Sequence, residues 1–209
     1  FETIQWDESY SWAREYIDEN RRGSVPKGFM DLLDIGDLVY LSVENDQVKL
    51  DQIPQAQSSL ISFNPKTGEV LSYVGGSVFN NSQFDRVRQS YPQSGSVFKP
   101  FIYASAFSGG YNPSSLINDA PIIFEDDNLE TFWRPENYSG KFYGLTTLRE
   151  ALVQSINIVS IKLLREIGVK KSSETIDNFG FGSERLPQDL SLALGSGNFS
   201  PAEVARGFS

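Results

Sequence analysis

The chain changes its sequence pattern near Ser96, and this change restricts the folds open to it. Before Ser96, short segments alternate between apolar and polar residues and are separated by turn-forming residues. After it, apolar residues recur every three positions, as in Ile158, Ile161, Leu164 and Ile167. Alternation is typical of strands, whereas the longer period is typical of helices. The pattern therefore indicates strands followed by helices, as in an α+β arrangement.

Residues 1–57 are expected to form a small β-rich region. Asp37–Val43 has the composition of a strand, and a polar turn and a second alternating segment follow it. One short helix is expected near Trp12–Ile17. Pro54 and the polar run after it indicate a boundary, so a second region is expected to span residues 58–209.

A hairpin is predicted directly after this boundary. Leu60–Phe63 and Val70–Val74 are separated by Asn64-Pro65-Lys66-Thr67-Gly68, whose Asn, Pro and Gly are turn residues. Residues 77–94 show no periodicity and are expected to form a loop.

Helices are predicted from Ser96 onward. The first should end at Gly109-Gly110, and residues 111–145 are expected to be irregular. Thr146 is the expected N-cap of a second helix, and a third should follow Asn157.

A last helix is predicted at the C-terminal end of the chain. Ser200-Pro201-Ala202-Glu203 carries a capping-box Ser and Glu, with Pro at the first helical position. Because the chain stops at Ser209, we expect it to be a truncated piece of a longer protein.

Two residue types are missing from the chain, and this limits the chemistry available to it. It contains no His and no Cys, which excludes Ser–His–Asp and Cys–His catalysis and zinc sites built on those ligands. The formal net charge of −9 disfavours binding to nucleic acid or to anionic lipid. A nucleophilic serine in this chain would need Lys, Asp, Glu or Tyr as its base.

Ser96 and Lys99 are candidates for such a pair. At a helix start, residues three apart lie on one face, and the helix N-terminus can stabilise an oxyanion. The same positive end, together with burial, would lower the pKa of Lys99 toward that of a working base. The spacing alone also fits a polar helix start followed by a solvated lysine.

Two further patterns accompany this pair. Ser155-Ile156-Asn157 places a hydroxyl and an amide two residues apart, and Ser196-Gly197-Asn198 repeats the arrangement. Either could serve a reacting peptide bond, or could be only a cap or a turn. The Lys66-Thr67-Gly68 sequence precedes Ser96 and falls in the predicted hairpin turn, so we interpret it as a turn.

The chain resembles the class A, bifunctional penicillin-binding proteins along nearly its whole length. The segments that carry the resemblance occur in the family's order: Ser59–Gly68, Val74-Gly75-Gly76, Gly95–Phe101, Trp133–Asn137, Leu148–Leu152 running into Ser155-Ile156-Asn157, Leu192–Gly195 and Pro201–Gly207. Before the serine, the family usually has Arg-Gln-Pro-Gly, where this chain has Pro92-Gln93-Ser94-Gly95.

The resemblance implies an α+β penicillin-binding, serine-transpeptidase fold, an antiparallel sheet with helices that is incomplete here, together with part of a small β-rich domain. Residues 1–57 would be the C-terminal part of an OB-like domain. Residues 58–209 would be the N-terminal part of a transpeptidase domain, truncated before the family's catalytic Lys-Thr-Gly strand. The glycosyltransferase domain and the membrane-anchoring helix would lie outside this chain, which places the protein on the periplasmic side of the inner membrane.

The resemblance also implies a reaction. Ser96 would be the acylated nucleophile, Lys99 its base, Ser155 a proton relay and Asn157 a ligand of the substrate amide. The substrates would be peptidoglycan stem peptides, β-lactam antibiotics would be covalent inhibitors, and no cofactor, metal or nucleic acid would be required. A serine β-lactamase and a non-catalytic β-lactam sensor are the alternatives, and the isolated piece is expected to be inactive.

Overall fold

The computed structural model describes residues 3–53, 56–80, 82–123 and 133–209. The chain divides into two compact units, Phe1–Ala56 and Gln57–Ser209. The predicted boundary at Pro54 lies outside the described residues. In the described part of the chain, none of the helices is both long enough and apolar enough to span a membrane.

The first unit is built from two antiparallel hairpins. Its strands are β1 (Tyr16–Asp18) paired with β2 (Arg21–Arg22), and β3 (Tyr40–Glu44) paired with β4 (Gln47–Asp51). Asn45 and Asp46 link β3 to β4 with φ angles of 51° and 61°, the backbone of a tight hairpin turn that these residue types tolerate. Trp6, Tyr10 and Phe29 pack their rings together beside these hairpins.

Two elements predicted for this unit have different first and last residues in the structure. The short helix is a 3₁₀ helix at Glu8–Trp12, and Ile17 lies in strand β1. The Asp7 carboxylate accepts a hydrogen bond from the Ser9 amide and so fixes the helix start upstream of the predicted patch. The predicted strand begins at Tyr40 and not at Asp37.

The second unit opens with the predicted hairpin. Strands β5 (Leu60–Phe63) and β6 (Val70–Val74) pair in antiparallel register. In their turn the Asn64 carbonyl accepts from the Gly68 amide, and Gly68 has a φ of +73°. Lys66 and Thr67 are exposed, so the prediction that this Lys-Thr-Gly is a turn is confirmed.

The expectation that residues 111–145 are irregular is partly wrong. Strand β7 (Leu116–Asp119) pairs with β8 (Gly144–Thr147) in this region. The pairing joins segments far apart in sequence, and Gly144-Leu145-Thr146-Thr147 carries no alternation that would reveal it. As a consequence, Thr146 lies in β8, and the Thr147 hydroxyl caps the following helix by accepting from the Glu150 amide.

Five α-helices follow in the described residues after Gly95. They are α1 (Lys99–Ser108), α2 (Leu148–Val153), α3 (Asn157–Ile167), α4 (Val169–Asp177) and α5 (Pro201–Gly207). The end of α1 matches the predicted stop at Gly109, and Gly168 is the C-cap of α3. Both halves of the predicted capping box of α5 are present.

The core of this unit forms where α3 packs against α1. The periodic face of α3 is completely buried at Ile158, Ile161 and Leu164, and α4 packs against both α1 and α3. Since burial of one such side chain contributes about 1.5–3 kcal/mol, the helical stripe is a main source of the stability of this unit. The arrangement of helices with antiparallel strand pairs is the α+β fold that the sequence predicts.

Candidate active site

The turn that carries Ser96 joins a glycine to the first long helix. Gly95–Phe98 forms a 3₁₀ turn that continues directly into α1 at Lys99, with Pro100 in the first helical turn, where its missing N–H is not needed. Ser96 is exposed, whereas Phe98 and Lys99 are buried. The turn therefore presents one hydroxyl to solvent above a closed core.

The segment before Ser96 is fixed by a backbone clamp, which we define as Ser94 and Gly95 with Gly195 and Gly197. The Gly95 amide donates to the Gly195 carbonyl at 2.9 Å, and the Ser94 amide donates to the Gly197 carbonyl at 3.0 Å. The Ser94 hydroxyl lies 3.1 Å and 3.2 Å from the same two carbonyl oxygens. A Cβ on Gly195 would lie 1.9 Å from the Gly95 oxygen, so this approach requires glycine.

Aromatic rings support the turn from below. The Phe98 ring stacks on Phe199 with centroids 5.6 Å apart and meets Phe181 edge to face at 5.0 Å. Phe101, one turn along α1, meets Phe181 at 4.8 Å. Because such rings pack tightly in few orientations, they fix the direction in which α1 leaves the turn.

Lys99 is a buried cation held by three acceptors. Its side chain is 1% exposed, and Nζ lies 2.6 Å from the Ser155 carbonyl oxygen, 3.1 Å from Ser155 Oγ and 2.8 Å from Asn157 Oδ1. These contacts use all three N–H groups of an ammonium. Burial nevertheless lowers the pKa of Lys99 from 10.5 to about 8, because the charged form loses its hydration.

Ser155 reaches Lys99 because the backbone breaks between two helices. Its φ of +53° is unusual for a residue other than glycine. The break is held on both sides: the Ile156 amide donates to the Ala151 carbonyl at 2.8 Å, and the Ser160 hydroxyl donates to the Ile156 carbonyl at 2.8 Å. Such strain persists only where the surroundings impose it, and it often marks a functional position.

Asn157 is the first residue of α3 and is held at both ends of its amide. Its Oδ1 contacts Lys99, and its Nδ2 donates to the Glu136 carbonyl at 2.9 Å. Its own backbone amide donates to the Asn137 side chain at 3.0 Å.

The structure thus brings together Lys99, Ser155 and Asn157 and places Ser96 one turn before Lys99. The second Ser-x-Asn pattern has another position. Asn198 bridges to Gln93, and the Ser196 hydroxyl bonds that of Ser191, so the pattern lies at the backbone clamp.

Sequence reasoning from spacing missed two buried residues behind this site, Asn137 and Asp119. Asn137 could be found only as part of the Trp133–Asn137 family segment. Nothing in the sequence around Asp119 sets it apart from the other acidic residues.

The chemistry available here is that of a nucleophilic hydroxyl, a lysine with a lowered pKa, a second hydroxyl and an amide. Across the ranges that the structure describes, no group of acidic side chains is arranged to hold a metal ion. The set can accept a proton from one oxygen and deliver it to another group.

Comparisons with known protein families divide the chain in two. Residues 59–199 match the penicillin binding protein transpeptidase domain, and residues 2–56 match the penicillin-binding protein OB-like domain.

Individual relatives are similar to most or all of the chain. Penicillin-binding protein 1A of Pseudomonas aeruginosa is 42% identical over 209 residues, which cover 100% of this chain and 25% of that protein. The crystal structure of penicillin-binding protein 1A from Haemophilus influenzae is 35% identical with a TM-score of 0.79, over 84% of this chain and 26% of that one. The PonA1 protein of Mycobacterium tuberculosis in complex with penicillin V is 20% identical with a TM-score of 0.58, over 70% of this chain and 42% of that one, and shares the fold. The chain therefore spans about a quarter of the length of the curated relative.

Proposed function

The chain belongs to the penicillin-binding protein transpeptidase family, and on that basis we propose that it carries the nucleophile of a serine D-Ala-D-Ala transpeptidase that cross-links peptidoglycan. The observation that carries the proposal is the buried Lys99, whose Nζ contacts both Ser155 and Asn157. Residues 1–57 are assigned to an OB-like domain and residues 58–209 to the N-terminal part of the transpeptidase domain.

In the acylation step, the Ser96 oxygen attacks the carbonyl carbon of the D-Ala-D-Ala amide while its proton passes to neutral Lys99. The tetrahedral intermediate then collapses and the C–N bond breaks. The leaving amine receives a proton through the Ser155 hydroxyl, and terminal D-Ala departs. Ser96 is left as an ester of the stem peptide.

In the second step, an amine of a neighbouring stem peptide attacks this ester. A new amide bond forms, the bond to the Ser96 oxygen breaks, and the proton lost by the amine returns to that oxygen through Lys99. Atoms and protons balance in both steps without a cofactor or a metal ion.

The contacts of Lys99 suit both of its protonation states. Of its three partners, the Ser155 carbonyl and Asn157 Oδ1 can only accept hydrogen bonds, whereas the Ser155 hydroxyl can accept or donate. When Lys99 is neutral, its two remaining N–H groups can stay on the two fixed acceptors. The lone pair then occupies the position beside Ser155 Oγ, where it can accept the Ser96 proton during the attack and afterwards pass a proton through the Ser155 hydroxyl to the leaving amine.

The same site would react with β-lactam antibiotics, which acylate Ser96 in place of the stem peptide. Since peptidoglycan lies outside the cytoplasm, the domain would act on the periplasmic side of the inner membrane, on a protein anchored there by a segment outside this chain.

Labelling by a fluorescent penicillin tests the nucleophile. In the complete gene product, Ser96→Ala should abolish labelling. Ser114→Ala makes the same chemical change in an exposed loop and should leave labelling intact. Covalent label on the Ser96→Ala protein would refute the assignment.

A second assay tests the acceptor step. The wild-type protein is given a stem-peptide donor and an amine acceptor, and the products are identified by mass spectrometry. Cross-linked peptide is the expected product. Rapid turnover of penicillin without any cross-link would indicate a β-lactamase, and acylation without either reaction would indicate a sensor.

A further inference from the structure

A buried carboxylate lies behind the active site, on strand β7. Asp119 is 1% exposed, and its oxygens accept from Asn137 Nδ2 at 3.0 Å and from the Tyr143 amide at 2.9 Å. The Lys162 ammonium donates to the carbonyl oxygens of the residues on either side of Asp119, Asn118 and Ala120. A carboxylate loses much hydration on burial, so these bonds must be kept for the fold to hold it there.

Asn137 is the partner that joins this carboxylate to α3. Its Nδ2 donates to Asp119 and, at 2.9 Å, to the Lys141 carbonyl. Its Oδ1 accepts from the amides of Asn157 at 3.0 Å and Ile158 at 3.1 Å. Both donors and both lone pairs of the amide are therefore used, and a flipped amide would oppose donor to donor and acceptor to acceptor.

This arrangement gives α3 a cap that its own sequence lacks. The backbone amides of the first turn of a helix have no hydrogen-bond acceptor within that helix. The N-cap residue of α3 is Ile156, whose apolar side chain cannot accept a hydrogen bond from them. Asn137 supplies the acceptor from 20 residues upstream. Its neighbour Glu136 holds the Asn157 side chain through a carbonyl oxygen.

A continuous path of hydrogen bonds thus runs from Asp119 through Asn137 to Asn157 and ends at Lys99. We propose that Asn137, oriented by Asp119, is a positioning residue that holds Asn157 against Lys99 for acylation of Ser96. This inference rests on the proposed function. Asn137 touches neither Ser96 nor Lys99 and acts only through the start of α3.

A swap of the two side chains separates positioning from simple packing. Asn137→Asp would set a second carboxylate 3.0 Å from Asp119 and against the Lys141 carbonyl, and so would push the α3 start away. In the double variant Asn137→Asp with Asp119→Asn, the new amide can donate to the new carboxylate. That carboxylate still accepts from the α3 amides, and the Tyr143 amide still finds an acceptor at position 119. The bond to Lys141 is lost and the carboxylate at position 137 still faces the Lys141 carbonyl oxygen, so the recovery is partial.

The assay is the acylation rate constant of the complete gene product with a fluorescent penicillin, measured over a range of penicillin concentrations and corrected for the folded fraction. Asn137→Asp should slow acylation by about 100-fold, which is the scale for a displaced catalytic group. The double variant should return to within about 10-fold of wild type. Asn118→Asp is the control: it adds the same charge one residue from Asp119, on an exposed side chain, and should acylate normally.

The outcomes separate this inference from the proposed function. A wild-type protein that is not acylated refutes the proposed function itself. If wild type is acylated, normal acylation by Asn137→Asp overturns the inference, as does a double variant no faster than Asn137→Asp. If Asn137→Asp does not fold, the double variant alone decides. A double variant that folds and recovers acylation supports the inference, whereas a double variant that does not fold or acylates slowly overturns it.

Discussion

Replacing Lys99 with methionine should abolish acylation and remove the pH-dependent cost that the buried ammonium imposes on the folded state. Lys99→Met keeps the length of a buried side chain and removes its charge. The difference between an ordinary pKa of 10.5 and a pKa of about 8 is the free energy that the buried ammonium costs the folded state. At about 1.4 kcal/mol per tenfold change in a proton equilibrium, this cost is about 3 kcal/mol at pH 7.

The sign of the pH dependence follows from proton binding. Because the folded pKa of Lys99 lies below its unfolded pKa, this side chain binds more protons in the unfolded chain between about pH 8 and pH 10.5, and its contribution to the stability of wild type rises with pH in that window. Below pH 8 the full cost is present. The free energy of unfolding of Lys99→Met minus that of wild type should therefore fall by about 2.5 kcal/mol between pH 7 and pH 10.

Urea unfolding followed by circular dichroism at several pH values measures this difference. Subtracting the wild-type curve from the Lys99→Met curve removes every other titrating group. Lys66→Met, in the exposed hairpin turn, is the control for removing a lysine and should change stability by less than about 0.5 kcal/mol at pH 7. Stability curves of wild type and Lys99→Met that stay parallel from pH 7 to pH 10 would refute the claim that burial lowers the pKa of Lys99.

Two further predictions concern the same site. The acylation rate constant of wild type should rise about tenfold per pH unit up to about pH 8 and then level, since only neutral Lys99 accepts the Ser96 proton; a stopped-flow profile that is flat from pH 6 to pH 9 would contradict this. Gly195→Ala should cost at least about 2 kcal/mol of stability and slow acylation, because the added Cβ collides with the Gly95 oxygen and a φ of +72° strains alanine. Gly28→Ala, where a Cβ meets nothing within 4 Å, should change neither property in the same assays.

Local sequence was sufficient for the elements whose signals are local. The three-residue spacing from Ile158 to Ile167 predicted α3 because a helix buries one stripe of its own surface. The turn residues Asn64 to Gly68 and the capping box at Ser200 predicted their hairpin and helix for the same kind of reason, since each motif bonds within a few residues of itself.

Pairings between distant segments were beyond this reasoning. Strand β7 pairs with β8, which lies more than 20 residues further along the chain, and neither strand has a sequence periodicity that identifies its partner. The 3₁₀ helix at Glu8–Trp12 was misplaced because its start depends on one side-chain contact from Asp7. Such elements form because tertiary contacts stabilise them, so their own propensities are uninformative.

For the candidate site, the sequence by itself determined which chemistry is available. With no His and no Cys, a nucleophilic Ser96 would need a residue such as Lys99 as its base, and the ordered family segments pointed to Ser155 and Asn157 as further candidates. The tertiary structure alone decided that Lys99 is buried, which lowers its pKa, and that its three acceptors come from residues 56 and 58 positions away. It also decided that Asn137 and Asp119 support the start of α3. Burial and hydrogen-bond partners depend on which surfaces meet in space, and no local pattern in the chain records that.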